Sequence, residues 1–274
     1  MAFRIPVLLY HAVVDKEINS NIHPVNITLI AFENQMKWLH DNGYKAISIT
    51  EMLHSSDHGN LQKKLVITFD DGYLSLLNLA TPILEKFNFT ATVFLTTAAV
   101  EGKSYSLLGN NVTNCPEDDR PLTWEELKKM KDAGWDIQAH GSKHFKHNEL
   151  TKKELFEEIN SCKTAIVANL NYTPTYYAFP YGSYNTLCLK MLKKLNFKAG
   201  FSTHAGLANS KSDNLRFPRV EIFLHDSMEI FTNKVLSGYA TKYYKLKSRL
   251  LFQVYRNSQI KDLVKSCADK LKSN

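Results

Sequence analysis

An α/β architecture, with a parallel sheet curled into a barrel, follows from three features of the chain. Short apolar runs alternate with amphipathic stretches along most of its length, the pattern of successive βα units. The central run, residues 65–69, is unbroken, apolar and β-branched, and too short for an ordinary helix, so it reads as a strand buried on both faces of a parallel sheet. The alternation yields about eight strands and about six helices in one body of about 230 residues, which suits a barrel of about seven or eight strands better than two small domains.

The elements follow in order. Residues 7–10 form a first short strand that ends at His11, and the polar stretch 15–29, with Pro24, is a loop. Phe32, Met36 and Leu39 recur at helical spacing over 30–40, and Asn42-Gly43 stops that helix. A strand is expected over 46–49, a short helix over 51–54, the central strand over 65–69, a helix over 76–87 and a strand over 91–95. Residues 100–121 are a long polar insertion of the kind that forms a lid, a binding loop or a disordered segment. Thr123-Trp124-Glu125-Glu126 is a capping box that opens a helix ending near Gly134, and a strand over 135–139 runs into His140. Thr151-Lys152-Lys153-Glu154 is a second capping box, for a helix to about residue 170. Strands over 176–179, 199–203 and 217–222 and a helix over 185–195 complete the body, with no internal repeat.

Composition narrows the function. The chain is 44% hydrophobic and 22% charged, ordinary for a globular protein with a large core. Residues 234–274 hold ten of the 34 Lys/Arg and two of the 27 Asp/Glu, so this stretch carries +8 and the rest of the chain −1. By charge the body is not a nucleic-acid surface. Cys115, Cys162, Cys188 and Cys267 are widely spaced and form neither a zinc knuckle nor a disulfide framework. No signal-peptide pattern opens the chain and no apolar stretch has transmembrane length, which points to a cytoplasmic protein.

The polar residues gather at one end of the strands. His11 follows the first strand, Asp70-Asp71-Gly72 the central one, His140 the strand over 135–139 and Pro180-Tyr181-Gly182 the strand over 176–179. That end is where barrels and open α/β sheets keep their sites. Neighbouring residues of an extended chain point opposite ways, so one of the two carboxylates is placed to hold a cation while the other faces a substrate. His140 and His144 are spaced i and i+4, which puts both rings on one face if the segment turns helically. Two imidazoles and a carboxylate form a three-ligand site with open positions, suited to zinc, iron, cobalt or nickel. His147 is a further candidate but is left outside the ligand set.

Thr68-Phe69-Asp70-Asp71, His140-x-x-x-His144 and Phe179-Pro180-Tyr181-Gly182 resemble, in order and strand placement, the first three motifs of the polysaccharide deacetylase family, carbohydrate esterase family four. The resemblance spans roughly residues 5–225. It implies a distorted (β/α) barrel and hydrolytic removal of an N-acetyl group from an amino sugar of a polysaccharide, glycan precursor or lipid-linked sugar. It further implies one divalent metal ion, zinc first, on Asp71, His140 and His144, with Asp70 as general base. The Tyr181 amide, in the Pro180-Tyr181-Gly182 turn, is implied to hold the oxyanion.

Two departures from the family pattern need replacements. An Arg that orients the catalytic Asp in many members is Ala178 here, and Arg219 is the nearest substitute. The family's late Leu-x-x-His motif, which supplies the general acid, has two candidates, Leu8-Leu9-Tyr10-His11 and Phe223-Leu224-His225-Asp226. His11 is chosen because it follows a strand, as in relatives acting on poly-N-acetylglucosamine, where this motif comes first. Tyr73, Tyr181, Tyr184 and Trp124 are candidates to stack on sugar, Tyr181 foremost.

The expected organisation is a catalytic barrel over 1–233 and a basic helical extension over 234–274. Ile260, Leu263, Val264, Cys267 and Leu271 share a helical face flanked by lysines, which suits docking on the barrel or on an anionic membrane surface. The alternatives to a sugar deacetylase are another non-peptide C–N hydrolase on the same scaffold and a catalytically dead carbohydrate-binding protein.

Overall fold

The computed structural model describes residues 4–16, 22–54, 61–101, 105, 114–209 and 211–241. Strands and helices alternate: β1 (Val7–Tyr10), α1 (Leu29–Asp41), β2 (Lys45–Ala46), α2 (Ile49–His54), β3 (Lys64–Asp71), α3 (Thr81–Lys86), β4 (Thr92–Leu95), α4 (Trp124–Asp132), β5 (Asp136–Ala139), α5 (Lys152–Leu170), β6 (Tyr176–Ala178), α6 (Thr186–Lys194), β7 (Ala199–Phe201), β8 (Val220–Glu221) and α7 (Met228–Ser237). The eight strands form one parallel sheet in the order β7-β6-β5-β4-β3-β1-β8, with β2 paired to the start of β3. Phe201 of β7 bridges Phe217, just before β8, through Phe217 N to Gly200 O at 2.8 Å and Ser202 N to Phe217 O at 2.9 Å. The two ends of the sheet thus meet, and the expected distorted barrel is what the chain forms.

Alternation along the strands sorts their side chains between two cores. Leu8, Tyr10, Ile67, Phe69, Val93, Leu95, Ile137 and Tyr177 face the helices. Val7, Val66, Phe94, Tyr176, Ala178, Phe201 and Phe217 fill the lumen. Phe94, Phe201 and Phe217 pack ring against ring, at 5.4 Å and 5.7 Å between centroids, and plug the barrel beneath the carboxyl ends of the strands. Burying each such ring contributes about 1.5–3 kcal/mol, and the plug gives the site above it a dry, rigid floor.

Both expected capping boxes form, at Thr123 with Glu126 and at Thr151 with Glu154. Three local expectations are corrected. The strand expected over 46–49 stops at Ala46, because the Ser48 hydroxyl accepts the Glu51 amide at 3.0 Å and starts α2 at Ile49. The helix expected over 76–87 opens as a π-turn, Leu76–Ala80, before α3. Pro82 lacks an N–H, and Thr81 Oγ1 donates to Leu76 O at 2.9 Å instead. Helix α7 was not expected, yet Ser227 caps its start and Gly238, at φ +82°, ends it.

Lys234, the first residue of the expected extension, lies buried in α7, with its ammonium donating to Glu221 O at 2.8 Å and to Asp226 Oδ2 at 2.5 Å. The proposed amphipathic face over 260–271 lies outside the described residues. Among the described residues no helix is long and apolar enough to cross a membrane.

Candidate metal centre and active site

The carboxyl ends of the strands surround a solvent-open cavity of about 180 Å³, lined by His11, Asp70, Asp71, His140, His144 and Tyr181 together with His23, Val25, Asn114, Thr203 and Glu221. Asp70 continues the inward face of β3, after Val66 and Thr68. Asp71 would point outward in regular geometry, but its φ of +74° turns its carboxylate back to the rim. Gly72 follows at φ +94°, a conformation that strains any residue with a side chain, so the turn that re-aims Asp71 favours glycine next to it.

Asp71, His140 and His144 converge. Asp71 Oδ1 lies 3.7 Å from His140 Nε2 and 3.3 Å from His144 Nε2, and the three ligand atoms fall within 4.8 Å of one another. Ligands about 2.0–2.1 Å from a tetrahedral zinc are roughly 3.3–3.5 Å apart, so the spacing matches a shared cation. The hydrogen bonding fits as well. His140 Nδ1 donates to Ala178 O at 2.9 Å, which leaves the Nε2 lone pair facing the centre. Tyr73 OH and Asn114 Nδ2 donate to Asp71 Oδ2 at 2.8 Å and 3.0 Å, while Asp71 Oδ1 is buried and accepts no hydrogen bond among the described residues. Burial pushes the His144 imidazole down to about 4 despite the pull of Asp71, so at neutral pH its ring is uncharged, the form that ligates a metal. Burial acts to raise the Asp71 carboxyl, but His144, His11, His140 and the Asn114 amide hold it well below the usual carboxylate range.

Asp70 stands beside this group, with Oδ2 3.6 Å from His140 Nε2. Arg219 grips it with two parallel bonds, Nη1 to Oδ1 and Nη2 to Oδ2, both 2.7 Å. The guanidinium is completely buried, donates through Nε to Ser202 O at 3.1 Å, and lies 5.5 Å above the Phe94 ring of the lumen plug. Burial works to raise the Asp70 carboxyl, and the charges of Arg219 and His140 outweigh it, so Asp70 stays ionised. Arg219, the substitute expected for the Arg absent at Ala178, is thus paired with Asp70.

Of the two candidates for a general acid, His11 lines the cavity and its Nδ1 is buried without a hydrogen-bond partner among the described residues. His225 is exposed and does not line it. In the turn Pro180–Gly182 only Tyr181 lines the cavity, at φ +58°, its ring 4.6 Å from that of His144. The Gly182 and Ser183 amides close back onto Phe179 O and Pro180 O, and Pro180 has no N–H, so the remaining amide of the turn is that of Tyr181. Pro180 and Gly182 shape the turn instead, since a Cβ on Gly182 would meet Thr203 N at 2.6 Å. Tyr73 is fully buried on Asp71, while Tyr184, stacked on Phe179, and Trp124 lie outside the cavity.

Sequence reasoning missed Asn114, His23 and Glu221. Glu221 was within reach of it, because residues two apart on a strand share a face and Arg219 had been singled out. Burial raises the Glu221 carboxyl, opposed by His11 and Arg219. His147, left outside the ligand set, is completely buried and engaged elsewhere, with Nδ1 donating to Phe145 O at 2.7 Å and Nε2 accepting from Tyr177 OH at 2.5 Å. Of the insertion 100–121, the described residues pack on the body: Tyr105 OH donates to Gly72 O at 3.1 Å, and Leu74 N to Arg120 O at 2.8 Å.

The family model for polysaccharide deacetylase matches residues 57–200, more than half of the chain. The Bacillus subtilis protein YxkH, whose name places it in the same family, is 28% identical over 221 residues, 80% of this chain and 71% of that one. A Staphylococcus aureus poly-β-1,6-N-acetyl-D-glucosamine N-deacetylase is 28% identical over 217 residues, 74% of this chain and 70% of its own. Among solved structures, the Streptococcus pyogenes deacetylase PplD in complex with acetate superposes with a TM-score of 0.73 at 26% identity, covering 86% of this chain and 99% of that one. With the family model falling on the segment that carries both aspartates, His140, His144 and the Tyr181 turn, the chain belongs to the polysaccharide deacetylase family.

Proposed function

We propose that this protein is a metal-dependent hydrolase that removes the acetyl group from an N-acetylated amino sugar. The observation that carries the proposal is the convergence of Asp71 Oδ1, His140 Nε2 and His144 Nε2 beside an ionised Asp70. Amide hydrolysis needs an activated water, a polarised carbonyl and a protonated leaving amine. A divalent ion on Asp71, His140 and His144, zinc first with iron, cobalt or nickel as alternatives, supplies the first two when bound.

The chain's own groups do the rest. Asp70, fixed by Arg219, takes the proton of the attacking water. The Tyr181 amide donates to the oxygen that gains charge as the tetrahedral centre forms, and the Tyr181 ring borders the sugar. His11 delivers the proton that lets the sugar amine leave. The products are acetate and a free amino sugar.

The Staphylococcus aureus relative makes β-1,6-linked N-acetylglucosamine oligomers the first substrates to test. The +8 charge of residues 234–274 supports an anionic membrane surface as a second partner, suited to a glycan or precursor held at a membrane.

Acetate release from these oligomers, with the parent and with Asp70→Asn and His11→Asn, tests the assignment. The parent is expected to release acetate. Asp70→Asn and His11→Asn are each expected to lose about 10²–10⁴-fold in turnover. Near-parental turnover by His11→Asn would remove it as the acid, and no release from any acetylated sugar by a metal-loaded parent would sink the deacetylase itself.

A further inference from the structure

His144 reaches the metal position from an irregular loop, residues 141–147, bent into the left-handed region at Gly141 (φ +90°) and at His144 itself (φ +60°). A non-glycine residue holds such a conformation only where its surroundings over-determine it. The surroundings here are dominated by one side chain. Glu158 projects from α5 under the loop and is 5% exposed. Its Oε1 accepts the Lys143 amide at 2.8 Å; burial raises its carboxyl, and the amides of Lys143, Phe145 and His144 oppose that rise. Ser142 N donates to the backbone carbonyl of the same residue at 3.2 Å. A Cβ on Gly141 would come within 2.7 Å of Glu158 Oε1 and 3.1 Å of Tyr177 OH, so the loop's first residue is pressed against the same carboxylate. At the far end, His147 is clasped by Phe145 O and Tyr177 OH.

No Lys or Arg lies at ion-pair distance from Glu158 among the described residues, so loop amides are its main partners. Removing the Glu158 carboxyl would leave the Lys143 amide without its partner, one residue before the ligand. Glu158 lines no part of the cavity.

We infer that Glu158 is a positioning residue of the metal centre: by gathering the amides around His144 it holds the His144 Nε2 where Asp71 Oδ1 and His140 Nε2 already meet. This rests on the metal centre proposed above.

Zinc affinity by chelator competition and the visible absorption of the cobalt-loaded protein test it, in the parent, Glu158→Gln and Glu158→Ala, with folding followed by circular dichroism. The expected result is a 10–100-fold weaker zinc affinity in Glu158→Ala, a smaller loss in Glu158→Gln, which keeps one acceptor, and an altered cobalt spectrum, all in folded protein. Zinc affinity within twofold of the parent and an unchanged cobalt spectrum in a folded variant would overturn the positioning role alone. If Glu158→Ala fails to fold, Glu158→Gln decides by the same criteria. A parent that binds neither ion overturns the metal centre and this role with it.

Discussion

At the residue scale the decisive feature is the pairing of Asp70 with Arg219 over an aromatic floor. Two charges this deeply buried are held only because each neutralises the other through two short, parallel bonds. Arg219→Ala leaves Asp70 buried and unpaired, and is expected to cost about 3–5 kcal/mol in urea unfolding. It is also expected to lower acetate release in the protein that stays folded. A variant with parental stability would show that the pair does not anchor the site.

Asp70 was legible in the sequence through its place in the motif that resembles the family's first, and Arg219 because the family's orienting Arg is Ala178 here. The directions of Asp71, His144 and Tyr181 were not. All three have positive φ, at +74°, +60° and +58°, a state that local preference opposes and only packing enforces. The helical turn expected to pair His140 with His144 is absent. The two rings meet because the intervening loop is bent, not because the i and i+4 positions stack on a helix.

At the element scale the barrel places its chemistry by ending strands, and the helix starts hold those ends still. The capping box of α4 is an instance with a pH signature. Glu126 accepts the Thr123 amide at 2.8 Å and a forked pair of bonds from Arg120, which, with Thr123, hold its carboxyl down to about 2. A carboxyl lowered by folding stabilises the protein above its unfolded pKa, about 4.3, and loses that contribution as pH falls towards its folded value. Glu126→Gln is therefore expected to cost about 1 kcal/mol at neutral pH. The gap to the parent should close between about pH 4.5 and 2 in denaturant titrations. A gap that widened on acidification would contradict the assignment. Capping boxes were readable from four residues in a row. Helix α7 is bracketed by Ser227 and Gly238 but straddles the change in charge at Lys234, which hides it in the sequence.

At the scale of the whole molecule, that boundary has consequences. Lys234 is buried between Asp226 and Glu221 O, so a chain ending at 233 cuts α7 and strands both acceptors, whereas a chain ending at 241 keeps the helix whole. The shorter chain is expected to melt several degrees below the longer one, and equal melting would show that α7 is dispensable. Co-sedimentation with anionic vesicles should be lost from the chain ending at 241 and kept by the full chain, and equal binding by both would remove the basic stretch as the membrane contact. The barrel, the strand ends and the grouping of polar residues on one face were all legible from the alternation of elements. Closure through Phe217 and Phe201 was not, since a single bridge between distant residues leaves no periodic trace.

The proposed reaction needs one cation on Asp71, His140 and His144, so metal content and acetate release should be measured together on the parent and on Asp71→Asn. One metal per chain in the parent, loss of both metal and acetate release on chelation, recovery of both on adding zinc, and neither in Asp71→Asn is the predicted outcome. Undiminished acetate release from a metal-free parent would contradict it.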